Sequence, residues 1–221
     1  ECGISQVQVS RMEKKILLCI GRQVGSGAIQ IAKLLSEELN IPLYDKEIIS
    51  YAAEKSGYKS ELFDKMDEKK NSSLFASFLG RSSNSQSYGF NSKVKNYMDN
   101  EDLFAIQSDA VRSIAEDGSA IFVGRCADYI LREDPATISI FITADIEDRV
   151  KRVAERLGIT EDSAQSHISQ SEKKRTAYYN YYTFKQWGDS SSYDLCVNSS
   201  RLGLEGTAKF IIDYIKSYYK I

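Results

Sequence analysis

The chain has 221 residues, 42% hydrophobic and 27% charged, with 29 Lys+Arg against 31 Asp+Glu. That length suits one large domain or one core with a smaller insertion, and the near-average composition excludes global disorder. A net charge of −2 argues against a chain-wide grip on nucleic acid or an anionic membrane, and the longest apolar run, Ile16 to Ile20, is far short of the roughly 20 residues that span a bilayer.

In chain order, residues 1–14 show no period and read as a tail ahead of one domain over 15–221. Their start, Glu1-Cys2-Gly3, lacks the basic and apolar character of a signal peptide. Ile16-Leu17-Leu18-Cys19-Ile20 then reads as a strand buried on both faces of a parallel sheet. Gly21-Arg22-Gln23-Val24-Gly25-Ser26-Gly27 follows at once. A helix comes next, with Ile31, Leu34, Leu35 and Leu39 on one face and Asn40 as its C-terminal cap. Ile41 to Tyr44 is strand-like, and Asp45 is placed to cap a helix around residues 46–55.

Leu103, Ile106, Ala110 and Ile114 make another helix face, which Asp117-Gly118 ends before the strand Ala120 to Val123. The strand Ile138 to Ile142 precedes a helix carrying Ile146, Val150, Val153 and Leu157. Leu195-Cys196-Val197 is the last strand, and Leu204 to Tyr219 forms a closing amphipathic helix. Five strands alternating with helices predict an α/β domain whose parallel sheet is covered on both faces. Two stretches interrupt the alternation. Asn71 to Asn100 is rich in Ser and Asn, and Gly158 to Asp189 is polar, basic and then crowded with tyrosine.

Scarce residues narrow the chemistry. His167 is the sole histidine, so a Ser–His–Asp triad must use it, and a multi-histidine metal site is impossible. Cys2, Cys19, Cys126 and Cys196 are far apart in sequence. Cys19 and Cys196 lie in apolar runs, where a reduced, buried thiol is expected. These features suit a cytoplasmic protein without zinc, and no protein metal-ligand set is expected.

The glycine segment, between a buried strand and a helix, suits a phosphate site. Glycine lets backbone N–H groups converge on an anion, and the helix N-terminus adds roughly half a positive charge. The segment departs from the P-loop pattern G-x-x-x-x-G-K-[ST]. Ser26 stands at the second glycine, Gly27 at the lysine and Ala28 at the hydroxyl position, so a tight turn is the competing reading. Arg22, inside the segment, is placed to supply the missing cation.

Three motifs in order, Gly21 to Gly27, Gly124-Arg125-Cys126-Ala127-Asp128-Tyr129 and Tyr193-Asp194-Leu195-Cys196-Val197-Asn198-Ser199, resemble the cytidylate kinase-like family. That family is a branch of the P-loop nucleoside-monophosphate kinases. The resemblance implies a P-loop NTPase fold with a five-stranded parallel core. It also implies an acceptor-binding insertion at about 46–100 and a lid at about 158–189. The implied activity is ATP- and Mg²⁺-dependent phosphorylation of a nucleoside monophosphate, with CMP or dCMP going to CDP or dCDP. Alternatives are a catalytically weak nucleotide sensor and a kinase with a non-nucleotide acceptor. The implied partner is the acceptor nucleotide, with no nucleic acid and no membrane, in a monomer or homodimer. Family loops run on as Gly-Ser-Gly-Gly-Arg-Glu-Ile, whereas Ile29 and Gln30 stand here where Arg and Glu are customary.

Phosphoryl transfer needs positioning and positive charge. Arg22, Arg125 and Arg175 are the expected catalytic cations. Arg125 follows a strand, where open parallel sheets bind ligands, and either holds the acceptor phosphate or pairs with Asp128. Gly21, Gln23, Gly25, Ser26 and Gly27 would cradle ATP phosphates, and Asn198 and Ser199 would wrap its base. Arg149, Arg152 and Arg156 share a helix face within about 60°. That stripe is either solvated surface or, as the resemblance implies, a lid contact to ATP through Arg152 and Arg156. Asp45, Asp128 and Lys173 join Arg125 as acceptor-side candidates, with Asp45 alternatively a partner of Mg²⁺-bound water or a helix cap. The run Tyr178 to Tyr182, with Trp187, either stacks a base or packs within the lid, and packing is favoured. His167 is expected on the lid surface with no catalytic part.

Overall fold

β1 (Leu17–Arg22), β2 (Leu43–Tyr44), β3 (Ala120–Val123), β4 (Thr137–Thr143) and β5 (Leu195–Asn198) pair into one parallel sheet in the order β2-β3-β1-β4-β5. The computed structural model describes residues 14–45 and 100–220. The tail 1–13, the expected helix at 46–55, the Ser/Asn-rich stretch and thus nearly all of the acceptor insertion lie outside the described residues. Among those described, the helices are α1 (Ala28–Leu39), α2 (Asn100–Asp117), α3 (Ala127–Ile130), α4 (Ile146–Leu157), α5 (Glu161–Thr183) and α6 (Ser199–Tyr219).

The apolar strands are buried on both sides because the pleat sends alternate residues to opposite helix layers. Leu18, Ile20, Ile121, Val123 and Ile140 pack against Ile31 and Leu35 of α1 and Ile211 and Ile215 of α6. Leu17, Cys19, Ala120 and Phe122 face Val111 and Ile114 of α2 and Ala127 and Ile130 of α3. Asn40 ends α1 in the left-handed conformation, φ 52°, as a C-terminal cap does.

Several expectations are corrected. The first strand continues through Gly21 and Arg22, because these residues stay in register with Phe141 and Ile142 of β4; the glycine loop proper therefore begins at Gln23. Cys196 is an exposed free thiol on the edge strand rather than a buried one, while Cys19 and Cys126 are buried. The stretch Gly158 to Asp189 is not irregular: most of it is α5, 23 residues long and capped by Thr160. Among the described residues no helix is long and apolar enough to cross a membrane.

The closing helix begins at Ser199, five residues before its apolar stripe, and bends at Gly203, with φ 70° and ψ −179°. Side chains are almost never accommodated there. The bend joins a short turn beside the glycine loop to the long core-packed segment, and it sets Leu204 against Gly27. Replacing Gly203 with Ala should lower stability by about 1–3 kcal/mol in urea unfolding. An unchanged midpoint would show that the bend tolerates a side chain.

Candidate active site

The carboxyl ends of β1, β3 and β4 meet at one edge of the sheet, the usual ligand crevice of an open parallel fold. Arg22 ends β1, and its guanidinium crosses Gly124 so closely that a Cβ there would overlap Nη1. Gly124 therefore has a steric reason as well as a conformational one, its φ being 79°. Arg22 Nη2 lies 3.8 Å from Asp45 Oδ1 beyond β2. Arg175 reaches in from α5, Nη1 donating to the Arg22 carbonyl at 3.2 Å.

Arg125 completes the group. Burial lowers the pKa of Arg22, with further lowering by Arg175 and Arg125 and an opposing pull from Asp45, down to about 9. It remains a cation at neutral pH. Arg125 and Arg175 are also shifted down, each chiefly by burial. Guanidiniums held close enough to repel one another in a desolvated edge make a site that an anion would stabilise. The three arginines singled out from sequence thus converge with Asp45.

The loop itself is braced from several sides. Gln23 N–H donates to Ile142 O at 3.0 Å, and its side-chain Oε1 accepts from Ala144 N–H at 3.4 Å. The buried Ser26 donates its hydroxyl to Gln23 O at 3.0 Å and accepts at its own carbonyl from Ser199 Oγ at 2.7 Å. Asn198 caps α6 by accepting from Ser200 N–H and donates Nδ2 to Asp145 Oδ1 at 2.8 Å. Gly25, at φ 82°, passes so near α4 that a Cβ would lie 2.6 Å from the Arg149 carbonyl. Asn198 and Ser199 are accordingly engaged in shaping the loop.

The arginines of α4 divide by depth. Arg149 is buried and pairs with Glu172 Oε1 at 2.8 Å. Arg152 donates to Gly25 O at 3.2 Å. Arg156 is exposed. Sequence reasoning did not single out Glu172, whose Oε1 also accepts from Val24 N–H at 3.1 Å and so links loop, α4 and α5. Its one signal is the lysine-rich neighbourhood, in which an acid stands out.

Other candidates fall elsewhere. Lys173 is exposed on α5 and lines an open groove of about 450 Å³ beside Trp187. Asp128 accepts from Tyr179 Oη at 2.6 Å. The tyrosine run packs: Tyr179 is buried, and Tyr182 stacks on Phe104 with centroids 4.0 Å apart. His167 is half-buried, its Nε2 3.5 Å from Ser171 Oγ. Among the described residues no group of three His, Cys, Asp or Glu gathers to hold a metal ion.

Comparison with known proteins adds to this geometry. The model of the cytidylate kinase-like family matches residues 17–201. The cytidylate kinase of Methanopyrus kandleri is 28% identical over 195 residues, 84% of this chain and 86% of that protein. The cytidylate kinase of Pyrococcus horikoshii is 25% identical over 206 residues, 91% of this chain and 90% of its own. A crystal structure of an uncharacterized protein from Eubacterium ventriosum has a TM-score of 0.69 and 33% identity, covering 92% of this chain and 99% of that one. Shikimate kinase from Bacteroides thetaiotaomicron, at 12% identity and TM-score 0.51 over 94% of this chain and all of that one, shares the fold.

Burial raises the pKa of Asp128, opposed by the Tyr179 hydrogen bond. A carboxyl raised in the folded state favours folding most below the unfolded carboxylate range, and that contribution fades as pH rises through the folded value. Asp128→Asn keeps an acceptor for Tyr179 and removes the charge. The variant should hold its melting temperature at pH 7 and lose part of the wild-type decline between pH 4 and pH 7. A large drop at pH 7 would show that the charge itself is needed.

Proposed function

As the chain belongs to the cytidylate kinase-like family, we propose that it is an ATP-dependent nucleoside-monophosphate kinase, transferring phosphate to CMP or dCMP to give CDP or dCDP. The observation that carries this reading is the convergence of Arg22, Arg125 and Arg175 beside the glycine loop. Phosphoryl transfer asks mainly for alignment of two phosphates and for charge on the group in flight.

In this reading the two sides of the cluster have different tasks. Arg125, with Asp45 near it, holds the acceptor phosphate. Gly25, Gly27 and Arg152 line the ATP phosphates, while Gly21, within β1 against Phe141, joins Gln23, Ser26, Asn198 and Ser199 in fixing the loop's shape. Arg175 spans the two sides through its contact with the Arg22 backbone and serves as the transition-state arginine. Residues 158–189 form the lid, and Arg156 and Lys173 stand at its approach. The donor set suits a polyphosphate. Mg²⁺, when bound, would neutralise charge on those phosphates and be carried largely by them, as Mg²⁺ in kinases commonly is. A cytoplasmic monomer or homodimer completes the reading.

A second reading, a nucleotide-binding sensor that turns over poorly, draws on one observation. Gly27 stands where a P-loop lysine would, in a left-handed conformation at φ 78° with Leu204 against it, so a lysine there would be strained and crowded. The charge must come from Arg22, Arg152 and Arg175 instead.

The deciding experiment is a coupled ADP-release assay with Mg²⁺ across CMP, dCMP, UMP, AMP and GMP. Turnover should be highest with a cytidine nucleotide. Tight ATP binding without turnover on any acceptor would favour the sensor, and turnover only with a non-nucleotide alcohol would move the acceptor outside nucleotides. Within the kinase reading, Arg125→Ala should raise the acceptor KM by roughly ten- to a hundred-fold, the worth of a hydrogen bond to a charged group. Arg175→Lys should lower kcat far more than ATP affinity, since arginines in that role contribute roughly 10³–10⁵ in rate through their planar geometry. Equal loss in both would remove Arg175 from the transition state.

A further inference from the structure

Three consecutive residues after β3 are left-handed: Gly124 at φ 79°, Arg125 at φ 60° and Cys126 at φ 56°. Glycine takes that conformation freely, whereas each side-chain-bearing residue costs about 1–2 kcal/mol, so the surroundings must hold Arg125 and Cys126 in place. The carbonyls of this run show how. Gly124 O accepts from Ala127 N–H at 3.2 Å, and Cys126 O accepts from Ile130 N–H at 2.9 Å. The carbonyl between them, on Arg125, accepts from the side chain of Gln107 on α2, Nε2 donating at 3.1 Å.

Gln107 is 1% exposed. Its Nε2 also reaches Tyr178 Oη on α5, at 3.4 Å. Its Oε1 is buried with no hydrogen-bond partner among the described residues. Turning the amide over would set Oε1 against the Arg125 carbonyl, so only the observed orientation is favourable. An orphaned buried carbonyl costs about 1–3 kcal/mol, and a methionine would fill similar volume without it. A core chosen for packing alone has no use for an amide here.

We propose that Gln107 is a positioning residue for the acceptor phosphate. It fixes the backbone of Arg125 and so aims its guanidinium, and through Tyr178 it ties that aim to the seating of α5, which carries Arg175. The proposal rests on the reading of Arg125 as the acceptor-phosphate ligand.

The test is calorimetric titration of CMP, and separately of ATP, into the full chain, Gln107→Met, Gln107→Leu, Arg125→Ala and the double variant Gln107→Met/Arg125→Ala. Gln107→Leu removes both donors without adding an ionisable group, and it serves if Gln107→Met folds poorly, combined likewise with Arg125→Ala. Either Gln107 change should weaken CMP about tenfold or more and ATP less than twofold. In the Arg125→Ala background it should add nothing, because a residue that acts through another loses its effect when the other is gone. CMP affinity unchanged in both Gln107 variants, with Arg125→Ala weakened, overturns the proposal and leaves the reading of Arg125 standing. Equal losses for CMP and ATP, or additive losses in the double variant, mean packing alone and overturn it too. If Arg125→Ala binds CMP normally, or the unaltered chain does not bind it, the underlying reading falls and the proposal with it.

Discussion

The parallel pairing of β1 between β3 and β4 is the constraint from which the site follows. Leu17 to Ile20 match Ala120 to Val123 on one side, and Leu17 to Arg22 match Thr137 to Ile142 on the other. Because all three strands run the same way in that register, Arg22, Gly124 with Arg125, and Ala144 with Asp145 leave the sheet together. Burial of Leu17, Cys19 and Phe122 on one side and Leu18, Ile20 and Ile140 on the other holds the register against slippage, since a one-residue shift would turn every side chain to the wrong layer. Two sheet-borne arginines are thereby placed by the hydrophobic core.

The remaining arginines arrive on helices, and the half-buried Glu172 sets their depth. Glu172 accepts from both Val24 N–H and Arg149, which draws α5 onto the loop and places Arg175 against the Arg22 carbonyl. Removing Glu172 would cost more than the modest net worth of the pair suggests, because the charge of the buried Arg149 is left unpaired. The Asp128–Tyr179 bond fastens α5 again one turn further on. A sheet edge made of fixed and docked cations suits chemistry in which alignment, rather than an acid–base group, does most of the work.

Much of the architecture was readable because it obeys one period. Each buried strand is a short apolar run, and Ile31, Leu35, Val150 and Val153 fall at helical spacing. The motifs around Gly21, Gly124 and Asn198 are local, so their order along the chain carried the family resemblance. Arg22, Arg125 and Arg175 could be singled out because strand ends and basic clusters are visible in sequence. Asn198 and Ser199 could not be assigned to bracing the loop from sequence, since bracing and ligand contact use the same polar residues and only the partner atom distinguishes them. Cys196 looked buried because edge and central strands share a pattern.

The helix missed in sequence shows most clearly why polar function hides structure. On α5, Ala164, Ile168, Glu172, Arg175, Tyr179 and Thr183 follow one another at three or four residues, a single stripe within about 100° of helix face. Its two ends are packed, by Ala164 and Ile168 against the Val24 and Val153 cluster and by Tyr179 against Phe141 and Tyr193. Its middle is ionic, and there it meets the glycine loop. A hydrophobic period therefore breaks where the helix touches the site, so the polar stretch that seemed least organised is the one whose face is most completely used. The same reasoning explains Gln107, a buried amide beside Val111 and Ile114 on α2: where local chemistry contradicts its own element's pattern, the reason lies in what the neighbouring element must hold.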